Sequence, residues 1–263
     1  MTRRLTQILE IVNKAGRIDV NSLASQVGVS AVTVRKDLDL LAEQRLLIRE
    51  HGYAVSSGMD DMNNRLSVAY AVKMKIARKA AQMVSAGETI MIESGSTCAL
   101  LANELALSGK DVCIITNSAF IAGYIRDKGD VRVILLGGEY QKESQVMVGP
   151  MVRSCASAFH VDKLFIGTDG FDPDRGFSTS DMMRTDAMKG MALSARKTII
   201  LTDSGKFESP GVITQLPFEE VYGVVTDDGA APEALEIMRS HGLDVRLVER
   251  KTADPAELIQ KSV

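Results

Sequence analysis

Hydrophobic positions near the N-terminus repeat with helical period. Leu5, Ile8, Leu9 and Val12 form one stripe, which predicts a first helix facing a small core. A second short helix is expected over 21–27, with Asn21 as its N-cap and Gly28 supplying a left-handed turn behind it. A third is expected over 30–41. There Val32, Val34, Leu38 and Leu41 are the core-facing positions, while Ser30, Thr33, Arg35 and Lys36 lie near the helix start on the other side. Two short apolar runs follow at 46–49 and 53–55, joined by Glu50-His51-Gly52, which is the pattern of a small hairpin.

The chain then turns polar from Ser56 to about Asn64, which predicts a linker. A helix over 68–84 sets Ile76, Ala77, Ala80 and Met83 opposite Lys73, Lys75, Arg78 and Lys79, a basic cluster that reads as a solvated face. Beyond Gly87 the pattern changes. Strand-like runs at 89–92, 112–115, 131–136, 163–166, 198–201, 221–225 and 244–248 alternate with helical segments near 97–106, 119–127, 151–158, 183–195 and 232–241. Strand and helix alternating at this pitch predict an α/β domain with a mostly parallel sheet covered on both faces. The division expected is therefore a headpiece over 1–58, a linker over 59–67, an α/β domain over 68–250 and a tail over 251–263.

The headpiece carries the clearest chemistry. A helix start bearing hydroxyls and cations suits phosphate oxygens and base edges, because its free N–H groups and dipole attract anions. An amphipathic helix with two adjacent cations is also ordinary solvated surface. The preceding helix, the Gly28 turn and the following hairpin direct the reading toward a helix-turn-helix with a wing, whose Arg49 and His51 would reach a phosphate or the minor groove. Charge agrees locally rather than globally. The whole chain of 263 residues carries net charge −3, yet residues 1–58 hold eight Lys/Arg against six Asp/Glu.

Composition removes several other classes. There is no run of eighteen apolar residues and no apolar signal core, so no membrane association and a cytoplasmic location are expected. The three cysteines, Cys98, Cys113 and Cys155, lack metal-ligand spacing and read as reduced core residues; His51, His160 and His241 are scattered, so no metal is assigned. The frequent methionines, with Met182, Met183, Met188 and Met191 around one helix, read as core filling. Neither a Walker lysine motif nor G-x-G-x-x-G occurs, which disfavours nucleotide hydrolysis and dinucleotide binding, and no cofactor is expected.

Ligands of open α/β sheets bind beyond the carboxyl ends of strands. Five polar, mostly glycine-bearing loops follow successive strands there: Glu93-Ser94-Gly95-Ser96-Thr97, Thr116-Asn117-Ser118, Gly137-Gly138-Glu139, Gly167-Thr168-Asp169-Gly170 and Asp203-Ser204-Gly205-Lys206. Each alone is an ordinary turn or cap. The first combines small residues with hydroxyls, and Lys206 offers a cation suited to phosphate.

Residues 3–55 resemble the winged helix-turn-helix of the DeoR family of bacterial transcriptional regulators. The signature is a leading Arg, here Arg4, then Ser30, Thr33, Val34, Arg35, Lys36, Asp37, Leu38 and Leu41. The five loops, in their order, resemble the effector domain of the same family, which is related in fold to ribose-5-phosphate isomerase and CoA transferases. The resemblance covers nearly the whole chain. It implies that Thr33, Arg35 and Lys36 contact DNA, with Asp37 orienting Arg35 or capping a neighbouring element; together with Arg4, Ser30, Arg49 and His51 they make up the expected DNA-binding surface. It also implies a small phosphorylated effector. Ser94, Gly95, Ser96, Thr97 and Lys206 would cradle the phosphate, and Thr116, Asn117, Gly138, Glu139 and Asp169 would line the polyol end.

Isomerases of that fold carry Asp-Gly-Ala-Asp-Glu-x-Asp in the fourth loop. This chain has Gly167-Thr168-Asp169-Gly170-Phe171-Asp172, lacking the first carboxylate and the glutamate. A following loop that is often glutamate-rich in the family holds Arg184 instead. That cation would pair with a second anionic group of the effector, or form a helix-start ion pair with Asp186. The expectation is a non-enzymatic repressor of a sugar or related catabolic operon, binding double-stranded operator DNA as a homodimer or homotetramer. The alternative is a sugar-phosphate isomerase-like enzyme with an accessory headpiece.

Overall fold

A computed structural model describes residues 3–43, 46–56, 61–208 and 210–250. The tail assigned to 251–263 and the boundary placed at 58 and 59 lie outside them. Three helices, Arg3–Ala15, Val20–Val27 and Ala31–Glu43, open the chain, with strands Arg17–Asp19, Ile48–Glu50 and Tyr53–Val55 beside them. The last two pair antiparallel across Gly52, whose φ of 78° only glycine adopts without strain. The strand at 17–19, too short to show alternation, pairs on the outer side of 53–55. Arg17 latches it there, stacking over the Tyr53 ring at 3.7 Å and pairing with Glu50 at 3.1 Å.

Two local expectations change. The second helix is capped by Asp19 rather than Asn21: its carboxylate accepts from the N–H groups of Asn21 and Ser22, both at 3.0 Å, so the helix starts at Val20. Val32 does not face the core. Val34, Leu38 and Leu41 are fully buried, whereas Val32, about 200° around the helix from Val34, is 60% exposed.

The span expected to be a linker contains a helix, Met62–Ser67, started by Asp61, which accepts from Asn63 and Asn64 N–H groups at 2.8 and 3.4 Å. Met62 and Leu66 are buried in a hydrophobic cluster shared by the headpiece helices and one face of the α/β sheet. The expected linker at 59–67 holds two core residues at i and i+4, Met62 and Leu66. The next helix, Tyr70–Ala81, begins after Ala69 in the left-handed region.

All seven strand-like runs enter one parallel sheet in the order 244–248, 223–227, 195–201, 161–166, 89–92, 113–116 and 132–135. Ile90, Ile92 and Ile114 pack with Ile76, Leu100 and Ile121 on one face. Met91, Ile115 and Ile200 pack with Val152, Met188 and Met238 on the other. Burying each such side chain contributes about 1.5–3 kcal/mol before ordering costs. Two small antiparallel additions lay outside the expected pattern: a hairpin of Glu139–Gln141 with Val146–Val148, and a sheet of Gly170–Asp172, Gly176–Thr179 and Ile213–Leu216. No helix among the described residues is long and apolar enough to cross a membrane.

Strand order creates one switch point. From 89–92 the chain builds outward through 113–116 and 132–135, then returns to place 161–166 on the opposite side of 89–92. The loops leaving 89–92 and 161–166 diverge there, opening a crevice.

Candidate nucleic-acid interface and anion cleft

The helix Ala31–Glu43 presents Ser30, Val32, Arg35 and Lys36 to solvent, with Thr33 half-buried beside them. Ser30 caps the helix: its Oγ accepts from the Thr33 N–H at 3.2 Å and lies 2.9 Å from Thr33 Oγ1. Arg35, Asp39, Arg49, Glu50 and His51 line one open hollow, so the hairpin tip and the reading helix form a single surface. Arg49 is drawn back from the tip. Its Nη1 donates to Asp39 Oδ1 at 2.8 Å and to the Arg35 carbonyl at 3.2 Å, tying wing to helix. Asp37 does not orient Arg35: it is buried and receives the guanidinium fork of Arg4.

At the switch point lies a cleft of about 460 Å³. Its floor is a close approach of two loops. A Cβ added at Gly95 would sit 3.3 Å from the Gly167 backbone, so any side chain there would press the two loops apart by a few tenths of an ångström. Glu93 staples them, accepting from Ser94 Oγ at 2.6 Å and from the Gly95 and Gly167 N–H groups at 2.9 and 3.3 Å. Glu93 and Ser94 thus act on each other, while Gly95, Ser96, Thr97, Asp169 and Lys206 line the cleft. Lys206 sits on a short 3₁₀ turn, Ser204–Glu208. Buried Asp227 fixes that turn by accepting from Ser204 N–H at 2.7 Å and Ser204 Oγ at 2.8 Å.

Thr116, Asn117, Gly138 and Glu139 do not line the cleft. Their strands lie on the far side of the switch point, and they have structural partners. Thr116 Oγ1 accepts from Ser118 N–H, and Asn117 Nδ2 donates to the Met147 carbonyl at 2.9 Å. A Cβ at Gly138 would collide with the Val148 carbonyl at 2.6 Å, which accounts for that glycine. Arg184 lines a small adjoining cavity with Arg65, Glu93 and Asp169, and its ion pair is with the helix-capping Asp181 at 3.2 Å rather than with Asp186. The methionines divide: Met188 and Met191 are buried, Met182 and Met183 exposed.

The sequence reading missed several cleft residues, of which three bear on its charge and its link to the headpiece. Asn13 comes from the first headpiece helix, Arg65 from the helix at 62–67, and Lys73 from the helix at 70–81. Lys73, assigned to a solvated face, is 5% exposed. Its spacing carried the signal, since 73, 76, 77 and 80 share one helical stripe. Its Nζ donates to the Arg65 carbonyl at 2.7 Å, and among the described residues no ion pair neutralises it. Burial lowers its pKa to about 8, with Lys206 and Arg65 pressing the same way and Asp203 opposing. Arg65, Lys73 and Lys206 face Asp169 and Asp203, leaving the cleft one positive charge in excess. Burial alone would push the Asp169 carboxyl up, but Arg65, Lys206 and the hydroxyls of Ser180 and Thr179 hold it below its ordinary value. A buried ammonium without a counter-ion, beside a lysine and an arginine, favours a dianion over a neutral ligand.

Residues 4–58 match the family described as DeoR-like helix-turn-helix domain, and residues 68–228 match the DeoR C terminal sensor domain. The putative aga operon transcriptional repressor of Escherichia coli O157:H7 is 28% identical over 253 residues, covering 94% of each chain. The glycerol-3-phosphate regulon repressor of Escherichia coli strain K12 is 28% identical over 249 residues, 94% of this chain and 98% of that one. The transcriptional repressor GlcR of Bacillus subtilis strain 168 is 28% identical over 251 residues, 94% and 96%. Among solved structures, ribose 5 phosphate isomerase A from Neisseria gonorrhoeae aligns at TM-score 0.40 and 20% identity over 52% of this chain and 53% of that one, too distant to bear on function.

Proposed function

This chain belongs to the DeoR family of DNA-binding transcriptional regulators, and from that premise we propose that a small phosphorylated metabolite in the switch-point cleft sets its operator affinity. The observation that carries this reading is the convergence of Lys73, Arg65 and Lys206 on one cleft beside Ser96 and Thr97. The dianionic phosphate would take the cationic side, and Asp169 and Asp203 would accept from hydroxyl groups of the remainder. Names of relatives, such as a glycerol-3-phosphate regulon repressor, support a repressor of a sugar-related operon.

On DNA, Ser30, Thr33, Arg35 and Lys36 would enter the major groove, while His51 on the wing would reach the backbone and Arg49, held by Asp39, would brace the wing against the helix. One headpiece offers few base contacts, so operator binding would use two headpieces of a homodimer, or of a homotetramer, on half-sites about 34 Å or a multiple apart. An effector that binds one arrangement better than another changes operator affinity by about 5–150-fold for a coupling of about 1–3 kcal/mol.

A thermal-shift panel of sugar phosphates tests the cleft. A compound at 100 times its Kd stabilises the protein by about 2.7 kcal/mol, and Lys206→Ala abolishes that shift while operator binding persists. Equal stabilisation of wild type and variant would move the anion elsewhere.

A further inference from the structure

The cleft is not built by the α/β domain alone. Asn13 of the headpiece and Arg65 of the helix at 62–67 stand in its wall. That helix is packed into the core shared by both units. Asn13 is also the centre of a side-chain junction. Its Nδ2 donates to Ser67 Oγ at 2.6 Å, and its Oδ1 accepts from Ser56 Oγ at 3.1 Å, immediately after the wing strand Tyr53–Val55. Ser67 is fully buried and its Oγ donates to the Asn64 carbonyl at 2.8 Å, so one asparagine links the first headpiece helix, the end of the wing and the bridging helix.

Arg65 connects this junction to the ligand space. It lines both the cleft and the adjoining cavity that holds Arg184. Among the described residues its guanidinium makes no hydrogen bond or ion pair, although Asp169 lies within electrostatic reach. Its carbonyl receives the Lys73 ammonium, so an anion drawn to Lys73 also meets the start of the next helix.

We propose that Arg65 is an anion contact supplied by the headpiece-bearing helix, and that the Asn13–Ser67–Ser56 junction transmits cleft occupancy to the DNA-reading unit. A bound anion then bridges the Ser96-Thr97 and Lys206 loops to the helix at 62–67, and the position of that helix fixes the headpiece. The inference rests on the anion-binding reading of the cleft and adds the route by which occupancy reaches DNA.

The test uses the full chain with inorganic phosphate as probe, at ionic strength matched with sodium chloride. Melting temperature and operator affinity are read on wild type, Arg65→Ala, Asn13→Ala and Ser67→Ala. Phosphate is expected to raise the wild-type melting temperature and change its operator Kd several-fold. Arg65→Ala loses most of both effects. Ser67→Ala, which lies outside the cleft wall and removes a single oxygen, keeps the melting shift but loses the change in Kd; Asn13→Ala, whose side chain also stands in the wall, loses the change in Kd. Undiminished stabilisation of Arg65→Ala overturns the contact, and an undiminished Kd change in Ser67→Ala overturns the route. If wild type gains no stability from phosphate, the anion site itself fails and this inference with it.

Discussion

The guanidinium of Arg4 forks the carboxylate of Asp37, Nε to Oδ2 at 2.6 Å and Nη2 to Oδ1 at 3.0 Å, joining the first helix to the reading helix. The sequence alone points to Arg4 as a DNA contact and to Asp37 as orienting Arg35 or capping a neighbouring element. The pairing gives them one shared task, which is setting the angle of the reading helix. Arg4→Ala should therefore lower the melting temperature and weaken operator binding while leaving the slope of log Kd against log salt unchanged. Arg35→Ala should reduce that slope by about one. Salt titrations of both variants check this; an equal loss of slope would make Arg4 a phosphate contact.

Val32 is an apolar side chain standing among hydroxyls and cations on the reading face. Its methyl groups suit the C5-methyl of thymine. Val32→Ser should change preference at one operator base pair by roughly fivefold, about 1 kcal/mol, with stability altered by less than about 0.5 kcal/mol. Binding-site selection on wild type and variant reads this directly, and identical preferences would remove Val32 from base readout.

Lys73 gives the cleft a pH dependence. Its folded pKa, about 8, lies below the unfolded value of 10.5, because burial penalises the ammonium. Below about 8 both states are charged and the cleft holds its full cationic complement. Between 8 and 10.5 the unfolded chain binds the extra proton, so this group's contribution to stability increases as pH rises through that window. Anion affinity moves the opposite way, falling above pH 8 as the ammonium is lost; Arg65, Lys206 and Asp203 are the charged groups facing it. Calorimetric titration of a phosphate ester from pH 7 to 9.5 should show the decline, and Lys73→Met should flatten it. A flat wild-type profile would contradict the assignment.

Asp227 is buried and accepts from Ser204 N–H, Ser204 Oγ and Gly229 N–H, which fixes the turn carrying Lys206. Asp227→Asn should cost about 1–3 kcal/mol and blunt the effector response while basal operator affinity stays near wild type. Denaturant unfolding and operator binding measure the two effects separately.

Much of this was legible in the residue pattern. The inner strands of the parallel sheet read as apolar runs, because strands buried on both faces are apolar at most positions, whereas the edge strands at 132–135 and 244–248 are only partly buried and mix polar with apolar residues. The Ser30-x-x-Thr33-x-Arg35-Lys36 face could be read because a helix start fixes which side its residues take. Strand order could not be read locally, and it decides which loops meet. The loops after 89–92, 161–166 and 195–201 share the cleft, while Thr116, Asn117 and Gly138 are carried to the far side. Lys73 departs from the expectation because a helical cation ordinarily stays solvated, whereas its place on the stripe with Ile76, Ala77 and Ala80 buries it. Asn13 and Arg65 join the cleft only through packing of the helix at 62–67, whose buried Met62 and Leu66 stood in a run that looked like a linker.

The most direct test is the operator affinity of the full chain, measured by fluorescence anisotropy at fixed ionic strength, with and without a panel of sugar phosphates and their unphosphorylated counterparts. At least one phosphorylated compound should shift Kd by about 5–150-fold, its unphosphorylated form should not, and Lys206→Ala should erase the shift. An operator affinity indifferent to every phosphorylated compound, or equally responsive to the neutral sugars, would contradict the account.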